Sequence, residues 1–298
     1  MTVSASTFSA LLGGQRSTTG TFSNVDYYTY FWSSLQYDAS NAWSRYTASD
    51  QTQIRRQSST KTRGYSIRCL KDPDTTPADA YWVGDDGNWS DAATHWAATS
   101  NGSPGAANLP GNTTNVHFDA SSGTGTVTID TASVSVTNVT ESSANIIIAT
   151  STNGLTVTGD LYVANVISGA TAVTVSGASK STSGTGTISA PLTMGADHII
   201  TVDTGNTLTV SGVISGAYNL TKTGAGTATL TGANTYTGTT TISQGTISAN
   251  KIVVASSNSS LGNATSAVVL GDASNAGTLY STQGTITYTR GFTVNAGG

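Results

Sequence analysis

The chain has 298 residues, only 9% of them charged, and a formal net charge of −4, which disfavours nucleic acid as a partner. It holds no apolar run of about 18 residues, so no segment reads as a transmembrane helix. With one Glu (Glu141), two Met and abundant Thr and Val, helix formers are scarce, and alternating Val, Ile and Leu point to an all-β chain with a core rather than to disorder.

Residues 1–72 form an aromatic, basic head. Eight of the twelve basic residues lie before residue 73, and all five Trp lie before residue 97. Short β-like segments are broken by Gly, Ser-Asn and Asp-Ala-Ser turns. Tyr27, Tyr28, Tyr30, Phe31, Trp32, Trp43 and Tyr46 either fill a small core or make a sugar-stacking face, since rings offer flat apolar area with polar edges. On the second reading the candidate glycan contacts are Trp32, Trp43 and Tyr46. Arg55, Arg56, Lys61 and Arg63 suit a solvated strand face or an anion site.

Leu12-Gly13-Gly14-Gln15-Arg16, Phe31-Trp32-Ser33-Ser34 and Gly64-Tyr65-Ser66-Ile67-Arg68-Cys69 resemble, in order and spacing, the closing half of the Fibrobacter-succinogenes major paralogous domain. The usual Pro of the first stretch is absent. The resemblance implies a truncated, β-rich, C-type-lectin-like segment, and a family cysteine at Cys69, the chain's one Cys. The start MTVSASTFSALLGG lacks the basic and apolar regions of a secretory leader. Together these lead us to expect a chain that begins mid-domain, with any partner of Cys69 upstream and Cys69→Ser therefore silent.

Residues 73–80 read as a linker, because Pro73 and Pro77 bias the chain to an extended form. Residues 81–120 follow with Trp82, Trp89 and Trp96 at intervals of seven (89 − 82 and 96 − 89), too regular for a linker. A solenoid must cover its open end, so a Trp-rich cap is expected here. Asp85, Asp86, Asp91, His95, His117 and Asp119 offer oxygen and nitrogen ligands for a metal. Their spacing matches no EF-hand and no zinc motif, so turn-forming Asp is the expectation, with no metal or cofactor.

Residues 121–298 are repetitive. The pentapeptides Leu155–Gly159, Val173–Gly177, Leu208–Gly212 and Ala228–Gly232 start 18, 35 and 20 residues apart (173 − 155, 208 − 173, 228 − 208), read as one, two and one rungs. VISGATAVTVSGAS at 166–179 echoes VISGAYNLTKTGAG at 213–226. Period-2 alternation with Gly and Asn at corners predicts a right-handed parallel β-helix, with a sandwich of antiparallel hairpins as the rival. Residues 220–249 carry Leu220, Lys222, Gly224, Gly226, Leu230, Gly232, Asn234, Tyr236, Gly238, Gly245 and Ile247. In that spacing they resemble the autotransporter-associated β-strand repeat, which implies a secreted or surface-exposed bacterial scaffold and no particular ligand.

Asp197, His198 and Asp203 are the nearest approach to a catalytic cluster, and Asp197 and Asp203 flank Gly in expected corners. Thr126/Thr128, Thr156/Thr158, Thr207/Thr209 and Thr229/Thr231 read as ordinary outward strand residues, with ice binding as the alternative. The expected function is a non-enzymatic, adhesin-like passenger region on the bacterial outer surface or in the extracellular space, touching glycans or host or neighbouring cell surfaces. The rivals are a sugar-binding head on a β-helical stalk and a polysaccharide-active β-helix, which would need paired acids. The chain ends in mid-pattern without the strands of a translocator barrel. Expected strands at 284–289 and from Phe292 would then leave an uncapped rung prone to end-to-end self-association.

Overall fold

The computed structural model describes residues 2–5, 8–51, 53–66, 76–142, 146–252, 257–284 and 288–297, with side chains from residue 12 onward. Cys69 and residues 285–287 of the expected 284–289 strand lie outside the described residues. Two compact units are present, Met1–Asp74 and Thr75–Gly298.

In the first unit a short antiparallel ribbon joins Thr2–Ala5 to Phe8–Leu11. A five-stranded sheet follows in the order Phe22–Val25, Gly13–Arg16, Tyr28–Gln36, Asn41–Ala48, Arg55–Thr60. Its named pairings are antiparallel except for one parallel contact, Gly14 to Thr29. Asp38 closes the turn between the two longest strands. Its Oδ1 accepts the N–H of Ser40 at 2.8 Å and of Asn41 at 2.7 Å, so a short carboxylate replaces missing backbone partners.

The second unit is a parallel β-helix of about eight turns with three faces. Among the described residues the first face has eleven strands, from Trp96–Ala97 and Asp79–Trp82 to Phe292–Val294. The second has nine, from Gly87–Asn88 to Gly277–Ser281, and the third has five, from Val134–Val136 to Ile214–Ser215. Register partners on the first face lie 18 to 36 residues apart (179 − 161 = 18; 115 − 79 = 36). Among the described residues helix is confined to Ala92–His95 and two short 3₁₀ turns. Every strand pairing within 150–250 is parallel among the described residues, which removes the hairpin sandwich.

Alternation explains the core. Val127, Ile129, Ile148, Leu155, Val173 and Leu208 are inward members of their strands and essentially unexposed, while their neighbours face out. Full burial of such a side chain is worth about 1.5–3 kcal/mol, so each rung is held chiefly by the rungs on either side.

The pentapeptide theme does not mark one face. Leu155–Val157 does stack on Val173–Val175 along the third face, and Leu208 on Ala228 along the second. The interval from 173 to 208, expected to be two full rungs, instead moves the theme from the third face to the second. The VISG echo shifts likewise, from the second face at 166 to the third at Ile214. The cause is that every face needs the same apolar–polar alternation, so the motif fits any of them.

At the first end of the solenoid, Trp82, Trp89, Trp96 and Phe118 are all buried. Trp96 meets Trp82 edge-on at 5.0 Å and Trp89 at 4.9 Å. Two of the indole N–H groups find backbone acceptors: Trp82 donates to Asp85 O and Trp96 to Trp89 O. His95 lies flat on Trp82, 4.4 Å away.

Candidate functional site

The head separates the residues that its sequence grouped. Tyr30 pairs with Tyr46 and Trp32 with Ser44, so Tyr30, Trp32 and Tyr46 share one sheet face. Tyr65 joins them, stacked 4.8 Å from Tyr30 and tilted 4.5 Å from Trp32. Trp43, three positions before Tyr46, faces the other way. There Arg56 stands 4.1 Å over its ring and Tyr37 packs edge-on at 4.8 Å. Trp32, Trp43 and Tyr46 thus form no single platform.

Beside Tyr30 and Tyr65 lies a pocket of about 330 Å³ whose polar lining includes Gln15, Asn41, Gln57 and Arg63. Arg63 Nη1 donates to Gln15 Oε1 at 2.7 Å, which holds both side chains in place. Burial pushes the Tyr30 phenol above its ordinary value. The basic run does not converge on an anion. Arg55 donates to Gln51, Lys61 to Ala39 O, and Arg56 sits on Trp43.

In the solenoid the junction acids serve the backbone. Asp85 and Asp86 accept the N–H of Thr124 and Thr126, Asp91 that of Asn88, and Asp119 caps Ser121. Among the described residues no group of three or more His, Cys, Asp or Glu could hold a metal ion. Asp197, His198 and Asp203 do not converge either. Asp197 accepts Asn219 N–H at 3.0 Å, and that bond holds its carboxyl below the usual range. His198 points inward, its Nε2 3.0 Å from Ser179 Oγ, and burial pushes it down to about 4. Asp203 is exposed at a corner.

The Thr pairs are split as well, with Thr128 and Thr209 on the second face and Thr156 on the third. The register builds different files on the second face: Thr185, Thr207, Thr227, Thr246 and Thr278, beside Thr187, Thr209, Thr229 and Ser248.

A polar ladder on the first face was not legible in the sequence. Asn115 Nδ2 donates to Asp79 Oδ1 at 3.3 Å, Asn138 Nδ2 to Asn115 Oδ1 at 2.8 Å, and Asp160 N to Asn138 Oδ1 at 2.7 Å. Lys180 Nζ then meets Asp160 Oδ2 at 2.6 Å. Burial works against the Asp160 carboxylate, but Lys180 and the Ala178 N–H hold it below the ordinary range. Successive partners stand 18 to 36 apart in sequence (178 − 160 = 18; 115 − 79 = 36), so only the register discloses them.

The hallmark residues of 220–249 turn inward. Lys222 is fully buried, and its Nζ donates to the carbonyls of Thr223 and Gly224 at 2.7 Å and of Gln244 at 3.3 Å. Burial pushes its ammonium down to about 8. Asn234 Oδ1 accepts Ile214 N–H at 2.8 Å, and its Nδ2 donates to Ser260 O at 2.8 Å. Tyr236 is fully buried and bonds Thr240 Oγ1 at 2.8 Å. Gly238 is required by contact, since a Cβ there would lie 2.1 Å from Tyr218 O. This stretch is therefore a structural rung.

Residues 220–249 match the family model of the passenger-associated-transport-repeat, and residues 1–71 match that of the Fibrobacter succinogenes major domain. Over 151 residues the chain is 35% identical to a protein described as "Adhesin BmaC autotransporter" from Brucella suis biovar 1 (strain 1330). That alignment covers 48% of this chain and 4% of the relative, so the chain spans a small part of the protein it matches. No solved structure matches.

Proposed function

We propose that this chain is a non-enzymatic, adhesin-like passenger segment displayed on a bacterial outer surface or released from it, with the solenoid as scaffold. The observation that carries this reading is the rung at 220–249, whose hallmark Lys222, Asn234 and Tyr236 are spent on the solenoid's own interior. The ionisable groups of the body support it. Glu141, Asp197, Asp272 and Arg290 each bond backbone groups of their own or neighbouring turns, and Asp160 is paired with Lys180. Beads coated with the chain should bind host epithelial or neighbouring bacterial cells above albumin-coated beads. Retention no better than albumin on both would refute adhesion, and release of reducing ends from surface polysaccharides would refute the non-enzymatic part.

A glycan is the proposed ligand of the head, through the pocket that combines the Tyr30 and Tyr65 rings with Gln15 and Arg63. On a glycan array Arg63→Ala should lose signal and Trp43→Ala, on the opposite face, should keep it; the reverse pattern would move the site to the Trp43 face. Self-association is proposed at the other extreme of the chain. Phe292–Val294 pairs with Val268–Leu270 on one side, and Phe292 and Val294 are exposed. Such an edge can take another strand, from a further rung or from a second copy.

A further inference from the structure

We propose that a notch on the first face of the solenoid binds one pyranose ring of a glycan, independently of the head. Along this face the outward side chains of successive rungs run Tyr81, His117, Thr140, Tyr162, Lys180. Tyr81 stacks on His117 at 4.5 Å and 15°, so the imidazole lies across the row with its outer face covered. At the other end Lys180 Nζ stands 5.0 Å from the centre of the Tyr162 ring. Between these ringed positions sits Thr140, too short to fill the row. The result is a notch of about 280 Å³, floored by Thr140, walled by His117 and Tyr162, and flanked by Asn115, Asn138 and Asp160.

The width of the notch selects its occupant. Positions 117 and 162 are two ladder steps apart, roughly 9.5 Å at the usual strand spacing. A flat aromatic ring touching both walls needs only about 7–8 Å, at 3.5–4 Å per contact. A puckered saturated ring is thicker and fits the wider gap. The flank suits its hydroxyls, because Asn138 and Asp160 present amide and carboxylate edges already anchored by the ladder. Thr140 Oγ1 at the floor has no hydrogen-bond partner among the described residues. The polar groups beside the notch already have partners, His117 bonded to Asp79 and Lys180 paired with Asp160, which favours a neutral sugar over an ion. Apolar C–H faces against rings, with a few placed polar groups at the rim, is how such a site holds a sugar.

The test is saturation-transfer NMR on the full chain in an Arg63→Ala background, which removes the glycan contact proposed for the head, so that transfer reports on the solenoid alone. The probes are the methyl glycosides of glucose, galactose, mannose and N-acetylglucosamine, with phenylalanine amide as the flat-ring probe. Transfer to ring C–H protons of at least one glycoside is expected. It should be lost in Thr140→Tyr, which fills the notch from an outward position, and in Tyr162→Ala, which removes a wall. Thr221→Tyr, the same change further along the face, should leave it intact. Tyr162→Ala decides the matter should Thr140→Tyr alter the melting curve. No transfer to any glycoside, transfer that survives both variants, or transfer to phenylalanine amide alone would each overturn the proposal.

Discussion

Glu141, the chain's one glutamate, is buried inside the solenoid. Its Oε2 accepts the N–H of Ala164 at 3.1 Å and of Asn165 at 2.8 Å, while Oε1 has no partner among the described residues. Burial outweighs the two bonds and pushes the carboxyl up to about 7, from an ordinary 4.5. Between these values the folded chain holds a proton that the unfolded chain has released. The group's stabilisation is therefore full below about pH 4.5 and is lost as pH rises through about 7, on the order of 3 kcal/mol. His198 titrates in the opposite sense, its contribution being lost as pH falls from 6.5 through about 4. The difference between two variants that both retain His198 isolates Glu141. Glu141→Gln keeps an oxygen for both amides, so its stability relative to wild type should grow as pH rises from 4.5 to 7. Parallel denaturation profiles across that window would sink this account.

At the scale of elements, the rung at 220–249 differs from those before it. Among the described residues the third face has no strand beyond Ile214–Ser215, and Asn234 takes over there. Its Oδ1 receives the Ile214 N–H that a stacked strand would otherwise accept. Asn234→Ala should orphan that buried donor and cost about 1–3 kcal/mol. Denaturant midpoints check the size, and hydrogen exchange checks the place, because the Ile214 amide should lose protection first. Unchanged protection there would exclude the side chain as the ladder's substitute. At the solenoid's first end, Trp89 packs against Trp96 and Phe118. We propose that this cluster caps the core, so Trp89→Ala should cost about 3–5 kcal/mol. A loss below about 1 kcal/mol by chemical denaturation would reduce the cluster to a peripheral feature.

At the scale of the molecule, a solenoid ties each rung chiefly to its neighbours, so its edges govern association. On Phe292–Val294 the apolar Phe292 and Val294 are exposed, with Tyr280 exposed on the second face. Val294→Lys places a charge on that strand, a device natural edges use against pairing. Wild-type chain should show concentration-dependent growth in light scattering over days, and Val294→Lys should suppress it. A wild type that scatters as a monomer at all concentrations would refute association through this edge.

The sequence alone determined the class of fold. Strict alternation of Val, Ile and Leu with Thr or Ser leaves a strand one buried face, and a chain of short strands with Gly corners buries those faces by stacking. Lys222, Asn234 and Tyr236 were legible as a motif for the same local reason: each is needed at a set offset within one rung. The faces were not legible. Register partners on the first face alone lie 18 to 36 residues apart (179 − 161; 115 − 79), so the interval between two pentapeptides does not say which face they share. The notch at Thr140 depends on residues from neighbouring turns, and the split of Trp43 from Trp32 depends on the pairing of two strands. Lateral register decides both, and register is set by the sum of corner lengths and core packing along the whole chain, which no local pattern encodes.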